Sequence, residues 1–300
     1  MLNFMNRTDY IPHLFNLLNN LDYDSKKLLT LILKRVKDSE KGNIGDKLTY
    51  EITPEERRLW EEVNFIKKNT LQISDTLFSV NGFIIPYKYH MTETVCMPHH
   101  FKKIQNMDFI ADKAIIDAGA LIGDTALVFS QIACDKIYAF EPMTKQFEYL
   151  QQTIELNNLT KVIPVNKGLG KATEKIEYVS TMGSSREISK AMLEQQRAIS
   201  ENRIEQIEIT TLDEFVKEHS IKVGFIKADI EGAEQDMLDG AKQTICEQKP
   251  ILMICIYHNP EDFFFIKPKI ESWDLGYTFS IVKSVSRRPM WETMLLAQVL

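Results

Sequence analysis

The chain has 300 residues, 44% of them apolar, with 36 basic and 42 acidic side chains and a net charge of −6. That length allows one large domain or two modest ones with a sizeable core, and the acidic balance argues against a nucleic-acid partner, which needs a basic face. Four cysteines without paired metal spacing, no apolar leader and no apolar run near the length of a membrane span lead us to expect buried free thiols and a cytoplasmic protein.

Residues 1–70 read as amphipathic helices. Leu14, Leu17, Leu18 and Leu21 recur at helical spacing, as do Leu28, Leu31, Ile32 and Val36. The charged, glycine-containing stretch 37–46 reads as a loop. Pro54 with Glu55 and Glu56 suits the first turn of a further helix through Trp60 and Val63. This third of the chain shows no chemistry of its own and is expected to be a packing or dimerising cap. Residues 70–90 switch to β-prone runs on either side of Asn81-Gly82, the strongest short hairpin signal. His90, His99 and His100 have no third ligand spaced for a metal and read as solvated loop residues.

An α/β pattern starts near residue 109. An apolar run at 114–116 ends on Asp117, and a turn with Gly119 and Gly123 follows. Residues 124–133 read as a helix opening on Asp124, and 136–140 is a second apolar run closed by Glu141. Strand, glycine turn, helix and strand, with an acid closing each strand, make the first half of a nucleotide-binding sheet. Gly119 can take a backbone conformation denied to other residues and let a ligand lie against the main chain. The helix opening near Gly123 points N–H groups at an anion. Glu141 lies 24 positions after Asp117, close to the interval of roughly 20 residues expected of an acid that accepts both hydroxyls of a ribose. The turn lacks the G-x-G-x-x-G of a dinucleotide fold. It resembles instead the D-x-G-x-x-x-G turn of class I S-adenosylmethionine-dependent methyltransferases.

A helix over 144–158, with Phe147, Leu150 and Ile154 as its buried stripe, leads to a strand over 161–165. Asn166 ends that strand. In methyltransferases an amide or acid at this place meets the adenine amine, and Asn is also a good turn residue. Residues 180–206 are polar and read as a loop and an exposed helix, either a lid or a solvated surface. A strand at 207–210 precedes a capping box, Thr211 to Glu214, which opens a helix ending near a structural His219. Apolar runs at 223–228, closed by Asp229, and at 251–257, closed by His258 and Asn259, suit central parallel strands covered on both faces. One helix, 234–247, joins them. Residues 277–283 and 292–300 read as a closing hairpin.

In order, DAGALIGDTA from Asp117, AFEP at 139–142, TLDEF at 211–215, KADIEGAE at 227–234 and a strand ending in His258 resemble the FkbM family of S-adenosylmethionine-dependent methyltransferases. The resemblance covers about residue 100 to the C-terminus. KADIEGAE is its most specific element, since no packing rule demands that string. Leu121 departs from the pattern, where related turns often have Asn or Gly. The resemblance implies a Rossmann-like class I α/β fold. Its sheet is mostly parallel and seven-stranded with a C-terminal antiparallel hairpin, beside a helical N-terminal region. We expect an accessory region over 1–90 and a catalytic domain over 91–300. The implied cofactor is S-adenosyl-L-methionine, held through Asp117, Gly119, Gly123, Asp124, Glu141, Asn166 and Asp229. The implied reaction is O-methylation of a small-molecule or carbohydrate acceptor.

Asp229 and His258 both end strands and open onto the carboxyl edge of the sheet, where ligands bind. An ordinary histidine, with a pKa of about 6.5 against about 3.9 for aspartate, is the better general base. His258 therefore reads as the base and Asp229 as the group that orients cofactor or acceptor. Glu231 and Glu234 either serve the acceptor or fix the turn and the helix start. Asp229, His258 and Asn259 offer too few hard oxygen ligands for a divalent metal, so none is expected. Phe263, Phe264 and Phe265 either stack on a sugar or pack beneath a loop. A non-catalytic cofactor-binding protein and a nicotinamide-dependent oxidoreductase are the alternatives, and a homodimer is left open.

Overall fold

A computed structural model describes residues 1–39, 51–88, 92–179, 204–286 and 288–299. The N-terminal third holds α1 (Leu2–Met5), α2 (Tyr10–Leu18), α3 (Tyr23–Ser39) and α4 (Pro54–Lys68), then a small antiparallel sheet of β1 (Leu71–Gln72), β2 (Phe78–Val80) and β3 (Phe83–Ile85). A complete capping box opens α4. Thr53 Oγ1 accepts from Glu56 N at 3.2 Å, and Glu56 Oε2 accepts from Thr53 N at 2.7 Å. Asn81 and Gly82 join β2 to β3 with φ of 51° and 84°, as a two-residue turn of the primed type demands.

The helix α5 (Thr92–Phe101) takes the place of the loop expected around the histidines. His99 pairs with Glu62, and His100 is buried with Nε2 3.4 Å from Ser284 Oγ. Burial pushes the His100 imidazole down to about 4. His90 lies outside the described residues.

The rest of the chain runs β4 (Ala114–Ala118), α6 (Asp124–Phe129), β5 (Ile137–Phe140), α7 (Thr144–Leu156), β6 (Val162–Val165), β7 (Gly168–Leu169), β8 (Glu174–Val179), β9 (Ile204–Thr210), α8 (Leu212–His219) and β10 (Val223–Ala228). Then come α9 (Glu234–Gly240), α10 (Lys242–Gln248), β11 (Ile251–Cys255), α11 (Pro260–Glu271), β12 (Tyr277–Lys283) and β13 (Thr293–Val299). Seven strands form one sheet in the order β12-β13-β11-β10-β4-β5-β6. β13 alone runs against the direction of the other six. This is the Rossmann-like sheet with a closing antiparallel hairpin implied by the sequence. Every residue of β4, β10 and β11 is buried, as parallel strands covered on both faces require. The strand order reverses between β4 and β10, and such a switch point opens a crevice at the carboxyl ends of the strands.

Each face of the sheet has its own apolar cluster. On one, Ile116, Ile226 and Leu295 pack with Phe263, Phe264 and the N-terminal Leu17, Leu29 and Ile32. On the other, Ile115, Phe225 and Leu296 pack with Leu59, Val63 and Ile66 of α4. The apolar stripes of the N-terminal helices are thus spent against the sheet. Phe4 stacks on Phe264 at 4.7 Å between centroids, and Phe263 and Phe264 are fully buried. These two rings are packing residues and cannot reach a sugar.

Several local expectations change. Helix α6 stops at Phe129 rather than residue 133. The single helix over 234–247 is two, α9 and α10, because β7 and its loop pass underneath: a Cβ on Gly240 would lie 2.0 Å from the Gly170 carbonyl oxygen. The box at Thr211 is half made. Thr211 Oγ1 accepts from Glu214 N at 3.1 Å, but the Glu214 carboxylate accepts from the Thr173 hydroxyl instead. A second sheet, β7-β9-β8, was not foreseen. Residues 204–206 of the polar segment belong to β9, and 180–203 lie outside the described residues. Among the described residues, no helix is long and apolar enough to cross a membrane.

Asn157, the C-cap of α7, fastens the small hairpin to the end of that helix. Its Nδ2 donates to Ile84 O at 2.6 Å and its Oδ1 accepts from Ile84 N at 2.9 Å. Asn157→Ala strips partners from both Ile84 groups. It is expected to cost about 1–3 kcal/mol in urea unfolding, with faster hydrogen exchange at the Ile84 amide.

Candidate active site

At the carboxyl ends of β4, β5 and β10, beside the end of β11, lies a cleft of ≈ 480 Å³. Its floor is the turn between β4 and α6, held from below. Asp117 is fully buried. Its Oδ2 accepts from the Thr125 hydroxyl at 2.5 Å, and its Oδ1 stands 3.2 Å from Lys227 Nζ. That ammonium also donates to Gly119 O at 2.8 Å and Ala118 O at 3.3 Å. Burial alone would lower the Lys227 pKa, but the carboxylates of Asp117 and Asp229 outweigh it and hold it above its ordinary value. A Cβ on Gly119 would sit 1.9 Å from the Asp229 carbonyl oxygen, so the neighbouring strand end itself demands glycine there. Leu121 has φ of 47°, the left-handed conformation that Gly and Asn take most cheaply.

Glu141 closes β5 against this turn. Oε2 accepts from Leu121 N at 3.0 Å and Oε1 from Met143 N at 2.9 Å. Burial, partly offset by those two N–H groups, raises its carboxyl to about 7. Asp124 also lines the cleft, and burial raises it to about 6 against the pull of Lys227.

Opposite, the DIEG turn folds around His258. Glu234 is fully buried. Its Oε1 accepts from Ile230 N at 2.8 Å and its Oε2 from Gly232 N at 3.0 Å. Oε1 also stands 3.0 Å from His258 Nδ1. His258 Nε2 lies 3.2 Å from Asp229 Oδ1 and 3.6 Å from Glu231 Oε2. The Tyr257 hydroxyl donates to Asp229 Oδ1 at 3.3 Å. Glu231 has φ of 60°, a strained conformation of the kind that gathers at functional sites. Burial alone would lower the His258 pKa, but Asp229 and Glu234 outweigh it and hold the imidazole up at about 11. Burial would raise the Asp229 carboxyl, and His258 with Lys227 more than offsets this, keeping it below its ordinary value. A protonated His258 has no lone pair with which to take a proton.

The profile of the methyltransferase FkbM domain matches residues 117–280, more than half of the chain. The chain belongs to the FkbM methyltransferase family. It is a methyltransferase, and its cofactor is S-adenosylmethionine. A protein called Methyltransferase 1 from Beauveria bassiana (strain ARSEF 2860) is 26% identical over 199 residues, which cover 61% of this chain and 77% of that one. A crystal structure of methyltransferase FkbM from Methylobacillus flagellatus KT is similar at a TM-score of 0.58 and 19% identity, over 96% of this chain. The present chain spans 58% of the length of that structure, and the likeness shows a common fold.

The residues of this FkbM methyltransferase fit the cofactor its family implies. The cleft has the volume of a small-molecule site. Each Glu141 oxygen takes one backbone N–H and keeps a second lone pair, enough for two ribose hydroxyls. Of the residues singled out in the sequence, Gly119, Asp124, Glu141, Asp229, Glu231 and His258 line the cleft. Asp117, Gly123, Asn166 and Glu234 stand behind the lining. Gly123 caps α6 with φ of 89°, and the Asn166 amide donates to Glu141 O at 2.9 Å and Pro142 O at 3.2 Å. Sequence reasoning missed Lys227, Tyr257 and Trp291. A lone lysine inside the apolar strand VGFIKA was the signal for the first; the lining residue Trp291 sits in a loop that carries no such signal.

Proposed function

We propose that this FkbM methyltransferase methylates a hydroxyl of a small molecule or carbohydrate, with the donor bound between Glu141 and Asp229. The observation that carries the reading is the pair of carboxylates, Asp229 and Glu231, that line the same cleft as Glu141 at the carboxyl edge of the sheet. When bound, S-adenosylmethionine supplies a methyl group on a positively charged sulfur, already an activated donor. Glu141 accepts the ribose hydroxyls and fixes the donor in register with the turn. Asp229, held by Tyr257 and His258, orients the acceptor hydroxyl. Glu231 would take the proton that the hydroxyl loses as its oxygen gains the methyl group and the methyl–sulfur bond breaks, and holding the partners in line would supply much of the barrier reduction. His258 holds both carboxylates in place. Residues 91–300 carry the catalytic groups, and 1–90 buttress both sheet faces. We place the enzyme in the cytoplasm on its four free thiols.

Calorimetric titration of S-adenosylmethionine into wild type and Glu141→Gln tests the donor contact. The variant is expected to bind about 10–100-fold more weakly, the worth of two hydrogen bonds to a charged group. Affinity in the wild type is expected to fall as the pH drops from 8 to 6, because the Glu141 carboxyl gains its proton near 7 and loses acceptor lone pairs. The variant lacks that dependence. Transfer to a panel of hydroxylated acceptors follows. Transfer only to amines, or binding with no transfer to any acceptor, rejects the O-methylation reading.

A further inference from the structure

His258 sits among more carboxylates than it and Lys227 together balance. Its side chain is 6% exposed, and Glu234 beside it is fully buried. Asp229 and Glu231 are 24% and 29% exposed, and Asp262, from α11, is buried behind them. Uncompensated buried charge is costly, and buried carboxylates are paired or coordinate metals. The pairing here is incomplete. Both ring nitrogens of His258 are buried without a hydrogen bond, although carboxylate oxygens stand 3.0 to 3.6 Å away. The oxygens are close to the ring but not in line for N–H donation.

One ligand atom each from Asp229, Glu234 and His258 lies within 4.8 Å of the others. Donors bound at about 2.0–2.2 Å to a common cation stand about 3.0–3.5 Å apart; Nδ1 has Glu234 Oε1 at 3.0 Å and Nε2 has Asp229 Oδ1 at 3.2 Å, so either nitrogen has one carboxylate at that separation and a cation bound to it draws the other in. The sequence offered Asp229, His258 and Asn259, too few hard oxygen ligands to favour a metal. Asn259 is instead spent capping α11, its Oδ1 accepting from Asp262 N at 2.7 Å. Glu234, which supplies the missing carboxylate, comes from another element.

We propose that Asp229, Glu234 and one ring nitrogen of His258 bind a divalent cation at the inner end of the cleft, the cation replacing the proton on that nitrogen, which is released to solvent. Asp229 and His258 line the cleft, so the cation enters from it, and the positions it keeps open face Glu231 and the acceptor. One imidazole with carboxylates suits Mn²⁺ or Zn²⁺ better than Ca²⁺, which takes oxygen ligands alone. A cation there would hold an acceptor oxygen beside Glu231. The inference rests on the same site as the O-methylation reading but is tested without any acceptor.

The test is Mn²⁺ titrated into the chelator-treated full chain, followed by calorimetry and by electron paramagnetic resonance of the bound ion. One site per chain is expected, with nitrogen coupling in the bound spectrum. Asp229→Asn and His258→Gln are each expected to weaken it at least ~10-fold, and His258→Gln removes the nitrogen coupling. Glu141→Gln, across the cleft, keeps the site. Circular dichroism of each variant separates loss of the site from loss of the fold. Failure of the folded wild type to bind Mn²⁺ or Zn²⁺ overturns the proposal, as does binding indifferent to both variants or lacking nitrogen coupling. Each of these outcomes leaves methyl transfer itself standing.

Discussion

Replacing Lys227 by methionine is expected to destabilise the protein by about 3–5 kcal/mol, the cost of leaving a buried charge without its partner. The lysine is 2% exposed and Asp117 fully buried. The ammonium satisfies the Asp117 carboxylate and the carbonyls of Ala118 and Gly119 together. Methionine of similar length fills the space and satisfies none of them. The double variant Asp117→Asn/Lys227→Met removes the orphaned charge and is expected to recover a substantial part of the loss. Urea unfolding of the four forms of this cycle gives the coupling directly. A single-variant cost below ~1 kcal/mol would mean that the pair contributes no ionic stabilisation. The turn that Lys227 holds is the floor of the cleft, so the same variant is expected to lose cofactor affinity even where it remains folded.

The second large effect lies in turnover. Glu231→Gln is expected to lower kcat by about 10²–10⁴-fold, the usual worth of a positioned base, with little change in the affinity for S-adenosylmethionine. Gln keeps the shape and an acceptor oxygen but cannot take a proton at neutral pH. His258 gives the contrast. Its folded pKa, raised from 6.5 to about 11, makes its contribution to stability complete below pH 6.5 and lost as the pH climbs toward 11. In the wild type the melting temperature is therefore expected to fall between pH 7 and pH 10 by more than in His258→Gln. A kcat that titrates near 6.5 in the wild type, and no longer in His258→Gln, would return the base role to the histidine.

Local signals in this chain were legible where a turn or cap has few solutions. Asn81-Gly82, Pro54 with Glu55 and Glu56, and Asp117 to Glu141 each fell where the residues placed them, because glycine, proline and first-turn acids act within a few positions. The seven-stranded sheet followed from apolar runs of strand length separated by helical spacing. The small sheet did not, because β7 has two residues and β8 pairs with β9 across a long intervening segment. The site was legible as a set of strand ends and not as an electrostatic system. His258 was assigned an ordinary imidazole because nothing near it in sequence is charged except Glu261 and Asp262. The carboxylates that govern it, Asp229, Glu231 and Glu234, arrive from the far side of β11. Glu234 looked like a helix-start acid favoured by the dipole, and only the fold shows its carboxylate turned back over Ile230 and Gly232. Lys227, quoted within a motif, could not be recognised as a buried clamp until Asp117 was beside it.

The packing of α3 on β12 bears on how the molecule is made. Ser25 Oγ accepts from Ile281 N at 2.7 Å from 256 positions away along the chain, and Leu21 bridges to Phe279 nearby. On the ribosome, α3 emerges long before the strand it docks against. At about 5–20 residues per second it waits on the order of ten seconds or more with Leu29 and Ile32 uncovered. A nascent chain paused before β12 should therefore be a good client for chaperones that hold apolar helices, and one released after β13 a poor one.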